Sequence, residues 1–409
     1  MSFFPRPPDQ SPLDDELCSH FLNVNAYCDY ELLDPETRSP VDVARLARVF
    51  SPSMAAVELS REPMIPIPPE VRALYQHYRP TTLFRARAFE RALATDCEIY
   101  VKSESSTPSG NHKANSAIFI TYLCKQDGVG TITTETTGNW GLALAMSAHE
   151  FGIELVCFID TESNRKRPDR KPAMERLGAR VIVVDQDGMH GDLLTLSADS
   201  AVRYTQEHER ATYIFGSIYG YFTVPQTIIG LEAKKQLARL GKYPDVVVGS
   251  CGGGANLLGT ASAFIVDRIT SGQPVEIISA ESEHCPIVSS GQYGLYSIDT
   301  QGYYPLLNTY GLPGLNASEY IGGLGSTILS SAVACFHRRG LIEPRTYTST
   351  HARTAAAIFH QAEGIWVALE TGYQIAAVVD VVRRRNRGVI LVNISAGAGD
   401  QNIYASGAV

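Results

Sequence analysis

Between residues 99 and 392 the chain alternates short apolar runs with amphipathic helical stretches, and few folds accommodate that order. The runs are Ile99–Val101, Thr131–Thr134, Leu155–Ile159, Val181–Val184, Thr212–Phe215, Val246–Val248, Ile277–Ser279 and Val389–Val392. Between them the apolar spacing predicts helices over 114–125, 141–149, 171–177, 193–207, 226–240 and 257–269. Three more helices are expected at 330–339, 353–362 and 373–384. Repetition of this kind builds mainly parallel sheets covered by helices. Several runs are apolar throughout, as strands buried on both faces are. The expected fold class is therefore α/β. In such sheets ligands sit at the C-terminal ends of the strands, so the turns there are where function is to be sought.

Composition narrows the classes. A length of 409 residues suggests two or three domains. A net charge of −8 argues against non-specific nucleic-acid binding, which needs clustered Lys and Arg. No apolar run reaches the roughly 18 residues of a membrane span. Met1–Pro8 has neither the charged nor the apolar region of a secretory signal. The eight cysteines are scattered without metal-ligand spacing, so they read as reduced thiols of a cytoplasmic protein, and no metal site is expected.

Four turns carry candidate chemistry. The first, Ser106–Asn115, leads from a strand into a helix and places Lys113 at the helix start. The positive end of the helix dipole disfavours a cation there, which suits a lysine that works uncharged, as in a Schiff base with an aldehyde cofactor. The plain alternative is a surface lysine beside a loop. The second, Thr134-Glu135-Thr136-Thr137-Gly138-Asn139-Trp140-Gly141, offers hydroxyls, an amide and backbone N–H groups to a carboxylate; an ordinary capped βα turn would look similar. Glu135 is out of place in an anion site unless it handles protons. The third, Gly252-Gly253-Gly254-Ala255-Asn256, lacks the residues of nucleotide loops and suits a single phosphate, with a packing turn as the alternative. The fourth, Asn393–Asp400, carries Ser395, whose hydroxyl could face a ring nitrogen. Taken together, the four describe a pyridoxal phosphate enzyme.

At these residues the sequence resembles the β chain of tryptophan synthase, and most closely its second, stand-alone type. The likeness runs from about residue 41 and rests on Arg79–Arg87, Ser109–Asn115, Thr133–Thr136, Gln226–Lys235, Gly252–Asn256, Glu281–Pro286, Gly340–Glu343 and Glu363–Glu370. The resemblance implies two three-layer α/β domains with pyridoxal 5'-phosphate in the cleft between them. It divides the chain into an N-terminal arm with helices (1–78), an N-terminal α/β domain (79–225) and a C-terminal α/β domain (226–409). It makes Lys113 the Schiff-base lysine and Glu135 the acid–base residue. His112, Asn115, Gly252, Gly253, Gly254, Ala255, Asn256, Glu370 and Ser395 would surround the cofactor. Thr136, Thr137, Gly138, Asn139 and Trp140 would hold the substrate carboxylate. The implied reaction is β-replacement on L-serine or a related amino acid through an aminoacrylate. The resemblance further implies a homodimer and leaves room for a monovalent cation, while the small residues at 322–327, where the family closes its site, argue against tight coupling to an α subunit, so no obligatory α subunit is expected.

Three departures touch the substrate side. The loop after Glu135 is one residue shorter than the family's and reads Thr-Gly-Asn, as in cysteine-synthase-like enzymes. Gly322-Gly323-Leu324-Gly325-Ser326-Thr327 replaces a stretch of larger, polar or charged closing residues. Ala396-Gly397-Ala398-Gly399 lacks the usual charged or imidazole side chain. The expected product is tryptophan or a non-standard amino acid. Two alternatives remain open: β-elimination to a keto acid, and a non-catalytic cofactor-binding scaffold.

Overall fold

The computed structural model describes residues 17–185, 193–315 and 322–397. The first 16 residues of the expected arm, and the terminal turn from Ala398 on, lie outside the described residues. In chain order the main elements are β1 (Leu83–Arg85), β2 (Asp96–Ser103), α1 (Ala114–Gln126), β3 (Thr131–Glu135), α2 (Asn139–Phe151) and β4 (Glu154–Asp160). Next come β5 (Arg180–Val184), α3 (Leu193–Glu207), β6 (Ala211–Tyr213), β7 (Val246–Ser250), α4 (Ala255–Ser271) and β8 (Glu276–Ser282). The chain closes with β9 (Glu343–Tyr347), α5 (Leu369–Arg384) and β10 (Arg387–Ile394).

Strands β5-β4-β3-β6, in that order, form a wholly parallel sheet. Strands β9-β8-β7-β10-β2-β1 form the second, parallel except for the β1–β2 pair. All eight apolar runs are strands of these sheets, and the α/β class holds. Strands β1 and β2, which fall within residues 79–225, belong to the larger sheet. There β2 pairs with β10 over eight residues, Asp96 opposite Arg387 through Ser103 opposite Ile394. Both strands are buried along their second halves and need a neighbour on each edge. Local periodicity carries no information about which neighbour that is. Strand β9 is not among the apolar runs, and its Pro344 argues against a central strand. It lies at the edge of the sheet, where proline is tolerated.

The described part of the arm packs onto the body. Phe21, Leu32, Phe50 and Met54 share a core with Phe119 of α1 and Leu144 of α2. All eight cysteines are free, seven of them buried. Among the described residues no helix is long and apolar enough to cross a membrane.

Directly behind α1 lies a buried ion network. Arg79 donates to Glu232 from Nε (2.8 Å) and Nη2 (2.9 Å), and from Nη1 to Glu104 (3.0 Å) and to Asn115 Oδ1 (2.7 Å). Lys102 Nζ donates to Glu232 (2.8 Å), the Thr81 carbonyl (2.7 Å) and Gln236 (2.9 Å). Burial would raise Glu104, but Arg79 and Lys102 hold its carboxyl down at about 2. Two cations thus face two carboxylates, all four side chains fully buried. Replacing Glu232 by alanine leaves Arg79 and Lys102 facing Glu104 alone, one buried positive charge in excess, and is expected to cost about 3–5 kcal/mol of stability. Chemical denaturation of the apoprotein measures it; a loss under about 1 kcal/mol would mean that the network relaxes around the gap.

Candidate active site

The site is built where the C-terminal ends of β3, β7 and β10 meet the N-terminal ends of α1, α2, α4 and α5. Lys113 is the residue before the first turn of α1 and has helical backbone angles. The preceding loop is fastened to the end of β10: His112 N donates to the Ser395 carbonyl (2.9 Å), and Gly397 N to the Gly110 carbonyl (3.0 Å). This tie carries Ser395 from the far end of the chain to the side of Lys113.

Two recesses share Lys113, Ser217, Gly253 and Gly323. The first is lined further by Asn111, His112, Asn139, Ser250, Gly252, Gly254, Ala255, Asn256, Leu324, Glu370, Ser395 and Ala396. The second is lined further by Glu135, Thr136, Thr137, Trp140, Phe215, Gly216, Gly322, Gly325 and Ser326. Lys113 therefore stands between a glycine-rich cup on one side and Glu135 on the other.

The cup follows from the glycines. Gly254, at φ +111°, occupies the left-handed region and precedes α4. A Cβ on Gly252 would come within 2.6 Å of the Leu324 carbonyl, and one on Gly253 would strike Ser217. Backbone N–H groups at the start of a long helix are thereby left open to an anion. Asn256 is held from beneath. Its Oδ1 accepts from Ser250 N (3.1 Å) and Oγ (3.2 Å), and its Nδ2 donates to Asn393 Oδ1 (3.2 Å). Gln374 Nε2 in turn donates to Ser250 Oγ (3.2 Å).

Electrostatics set the protonation states. Burial lowers the Lys113 amine, against the opposing charges of Glu370 and Glu135. Burial, followed by the charge of Lys113, pushes His112 down to about 4, so its imidazole is neutral at pH 7 and shares a hydrogen bond with Gln226 (Nδ1 to Oε1, 2.9 Å). Glu135 is raised by burial to about 7 although Tyr213 donates a hydrogen bond to it. Glu370 Oε1 accepts from Gly323 N (2.8 Å), while its buried Oε2 has no partner among the described residues. Ser395 Oγ lies 3.0 Å from Thr371 Oγ1, which accepts from Ser395 N (3.1 Å).

These features fit pyridoxal phosphate. The cup suits a phosphate, the lowered amine suits an aldehyde, and Ser395 and the orphaned Glu370 oxygen supply polar atoms around the remaining space. Asn115, expected beside the cofactor, lines neither recess. Its side chain is turned into the ion network, accepting from Arg79 and donating from Nδ2 to Glu104 (2.9 Å). Two residues past Lys113 is about 200° round the helix, which faces it away from the site.

The loop expected to take a carboxylate divides its tasks. Thr136 Oγ1 accepts from Gly138 N (2.9 Å) and Gly141 N (2.8 Å), so this hydroxyl braces the loop. Gly138 (φ +129°) lines neither recess and lies against Arg170, whose Cγ would sit 2.8 Å from a Cβ there. The Trp140 indole is buried and donates to Thr134 Oγ1 (2.8 Å). Thr137 and the backbone at Asn139 and Trp140 remain for an anion at the start of α2. Ser217, which lines both recesses, is absent from the residues expected on sequence grounds, although Gly216-Ser217 directly after a strand is itself a turn signal at a C-terminal strand end.

Comparison with known proteins agrees with this site. A family model described as pyridoxal-phosphate dependent enzyme matches residues 74–395. The chain is 34% identical over 387 residues to tryptophan synthase beta chain 2 of Pyrococcus abyssi, covering 89% of this chain and 87% of that one. It is 33% identical over 383 residues to tryptophan synthase beta chain 2 of Thermotoga maritima, covering 89% and 90% respectively. It is 33% identical over 411 residues to the tryptophan synthase beta chain of Thermosipho africanus, covering 95% and 98%. A match over most of the length, joined to a lysine, a glycine cup and a glutamate around adjoining recesses, leaves one conclusion: the chain belongs to the pyridoxal-phosphate dependent enzymes, among the tryptophan synthase β chains.

Proposed function

We propose that the protein replaces the β-substituent of L-serine, or of a related β-substituted amino acid, with an incoming nucleophile, giving tryptophan or a non-standard amino acid. The observation that carries this reading is the placement of Lys113 and Glu135 on the same recess, with the glycine cup behind. Pyridoxal phosphate, when bound, supplies an aldehyde for the substrate amine and a ring that accommodates the charge left by the α-proton. Gly252, Gly253, Gly254 and Asn256 would hold its phosphate, Lys113 its aldehyde carbon, and Ser395 its ring nitrogen. Glu370 would border the ring.

The remaining steps fall to the chain's own groups. The Lys113 amine, freed when the substrate amine takes its place, accepts the α-proton and later returns it. Thr137 and the first N–H groups of α2 orient the substrate carboxylate. Glu135 donates a proton to the departing β-group and then accepts one from the incoming nucleophile, which its raised proton affinity suits. Likeness to the stand-alone type supports action without an obligatory α subunit, as a homodimer.

One observation favours a second reading, β-elimination. The wall at Gly322, Gly323, Gly325 and Ser326 presents no charged side chain to close the recess over the reacting groups. A test offers the holoenzyme L-serine, O-acetylserine, phosphoserine or threonine, with and without indole and other nucleophiles, and identifies the products by mass spectrometry. Serine consumption that depends on the nucleophile is the expected result. Keto acid and ammonia released at the same rate with or without a nucleophile would overturn replacement in favour of elimination.

A further inference from the structure

Glu135 does not meet the recess unaided. Strands β3 and β6 are parallel neighbours with Thr133 opposite Tyr213. Partners in such a pair point to one face, and Glu135, two residues past Thr133, returns to that face. The Tyr213 phenol therefore reaches along the sheet, and its hydroxyl donates to Glu135 Oε2. The ring is fully buried and held edge-on by Tyr304, centroid to centroid 5.4 Å at 73°. Tyr304 belongs to the segment between the strands Gln292–Tyr296 and Leu306–Gly311 and is buried as well. A tyrosine that only filled space would not need its polar end aimed at the one carboxylate that lines the recess among the described residues.

We propose that Tyr213 is a positioning residue for Glu135: its phenol pins Oε2, keeps the carboxyl turned toward the recess, and favours the ionised form that accepts the nucleophile's proton. The inference rests on the reading of Glu135 as the acid–base group. The titratable groups that face Glu135 are Lys113 from α1, Tyr213 from β6, Cys157 from β4 and Tyr304. Burial raises both the Cys157 thiol and the Tyr304 phenol, so neither competes for a proton near neutrality. Lys113 and Tyr213 are left to set the balance.

The test is the pH dependence of kcat/KM for the nucleophile in the holoenzyme saturated with the amino acid. Having given its proton to the departing group, Glu135 must be ionised to accept one from the nucleophile, so this rate falls as pH drops through its titration. Tyr213→Phe removes a donor to the ionised form, and the acid limb is expected to move up by about one pH unit. A fluorotyrosine in place of Tyr213 keeps the shape but donates more strongly, and is expected to move the limb the other way. Infrared titration of the Glu135 carboxyl band in the substrate-free holoenzyme, assigned by difference against Glu135→Gln, should show the same displaced midpoints without any turnover. Lower activity with an unmoved limb and band in both variants would reduce Tyr213 to a packing residue and overturn the proposal. Full activity in Glu135→Gln would instead remove the acid–base reading beneath it.

Discussion

Lys113→Ala is expected to lower turnover by about 10⁴-fold and to abolish covalent retention of the cofactor. Borohydride treatment followed by peptide mapping should place the label on Lys113 in the unaltered protein and on no lysine in the variant. The contrast with a second buried lysine, Lys102, makes this sharp. Lys102 Nζ is committed to Thr81, Glu232 and Gln236, whereas Lys113 is lowered by burial and faces the charges of Glu370 and Glu135 across open space. The glycine cup contains no part of Lys113, so the variant should still bind the cofactor reversibly, which fluorescence titration can measure. Label recovered on Lys102, or on any other lysine of the variant, would sink the assignment.

Glu135→Gln is expected to lower kcat by about 10²- to 10⁴-fold while leaving the Lys113 linkage intact. With Glu135 raised to about 7, the acid limb of kcat/KM for the nucleophile should fall near pH 7, and the residual rate of the variant should lack it. The same shift bears on stability. A carboxyl whose folded value lies above its unfolded one favours the folded state most below about pH 4.5, and that contribution is lost as pH rises toward 7. Glutamine, always neutral, escapes the loss. The variant should therefore withstand more denaturant than the parent at pH 8 and no more than the parent at pH 4. Equal stability at both values would show that Glu135 is not held in a water-poor site.

Features confined to one turn are legible in the amino-acid order alone. Lys113 at a helix start, three consecutive glycines after a strand, and an acid beside Thr-Thr-Gly-Asn each announce themselves within ten residues, because turn chemistry and helix ends are local. Asn115 misleads because nearness in sequence is not nearness in space on a helix. Ser250, Gln374 and Asn393 brace Asn256, and Tyr213 reaches Glu135, only because the sheets bring distant segments together. The sequence shows four ordinary polar or aromatic residues there. Sheet membership is hidden for the same reason: periodicity identifies a strand but not its neighbour.

The place of β10 bears on how the protein is made. The strands of the smaller sheet all lie between residues 131 and 213 and can pair as soon as that stretch has left the ribosome. The larger sheet has its last-made strand in the middle, between β2 and β7. Until residue 394 emerges, these two have no common partner, and the Lys113 loop has no Ser395 to hold. Synthesis thus completes the catalytic pocket only after the other strands of the larger sheet are made, and a nascent chain halted before β10 would present two unpaired strand edges to the quality-control machinery.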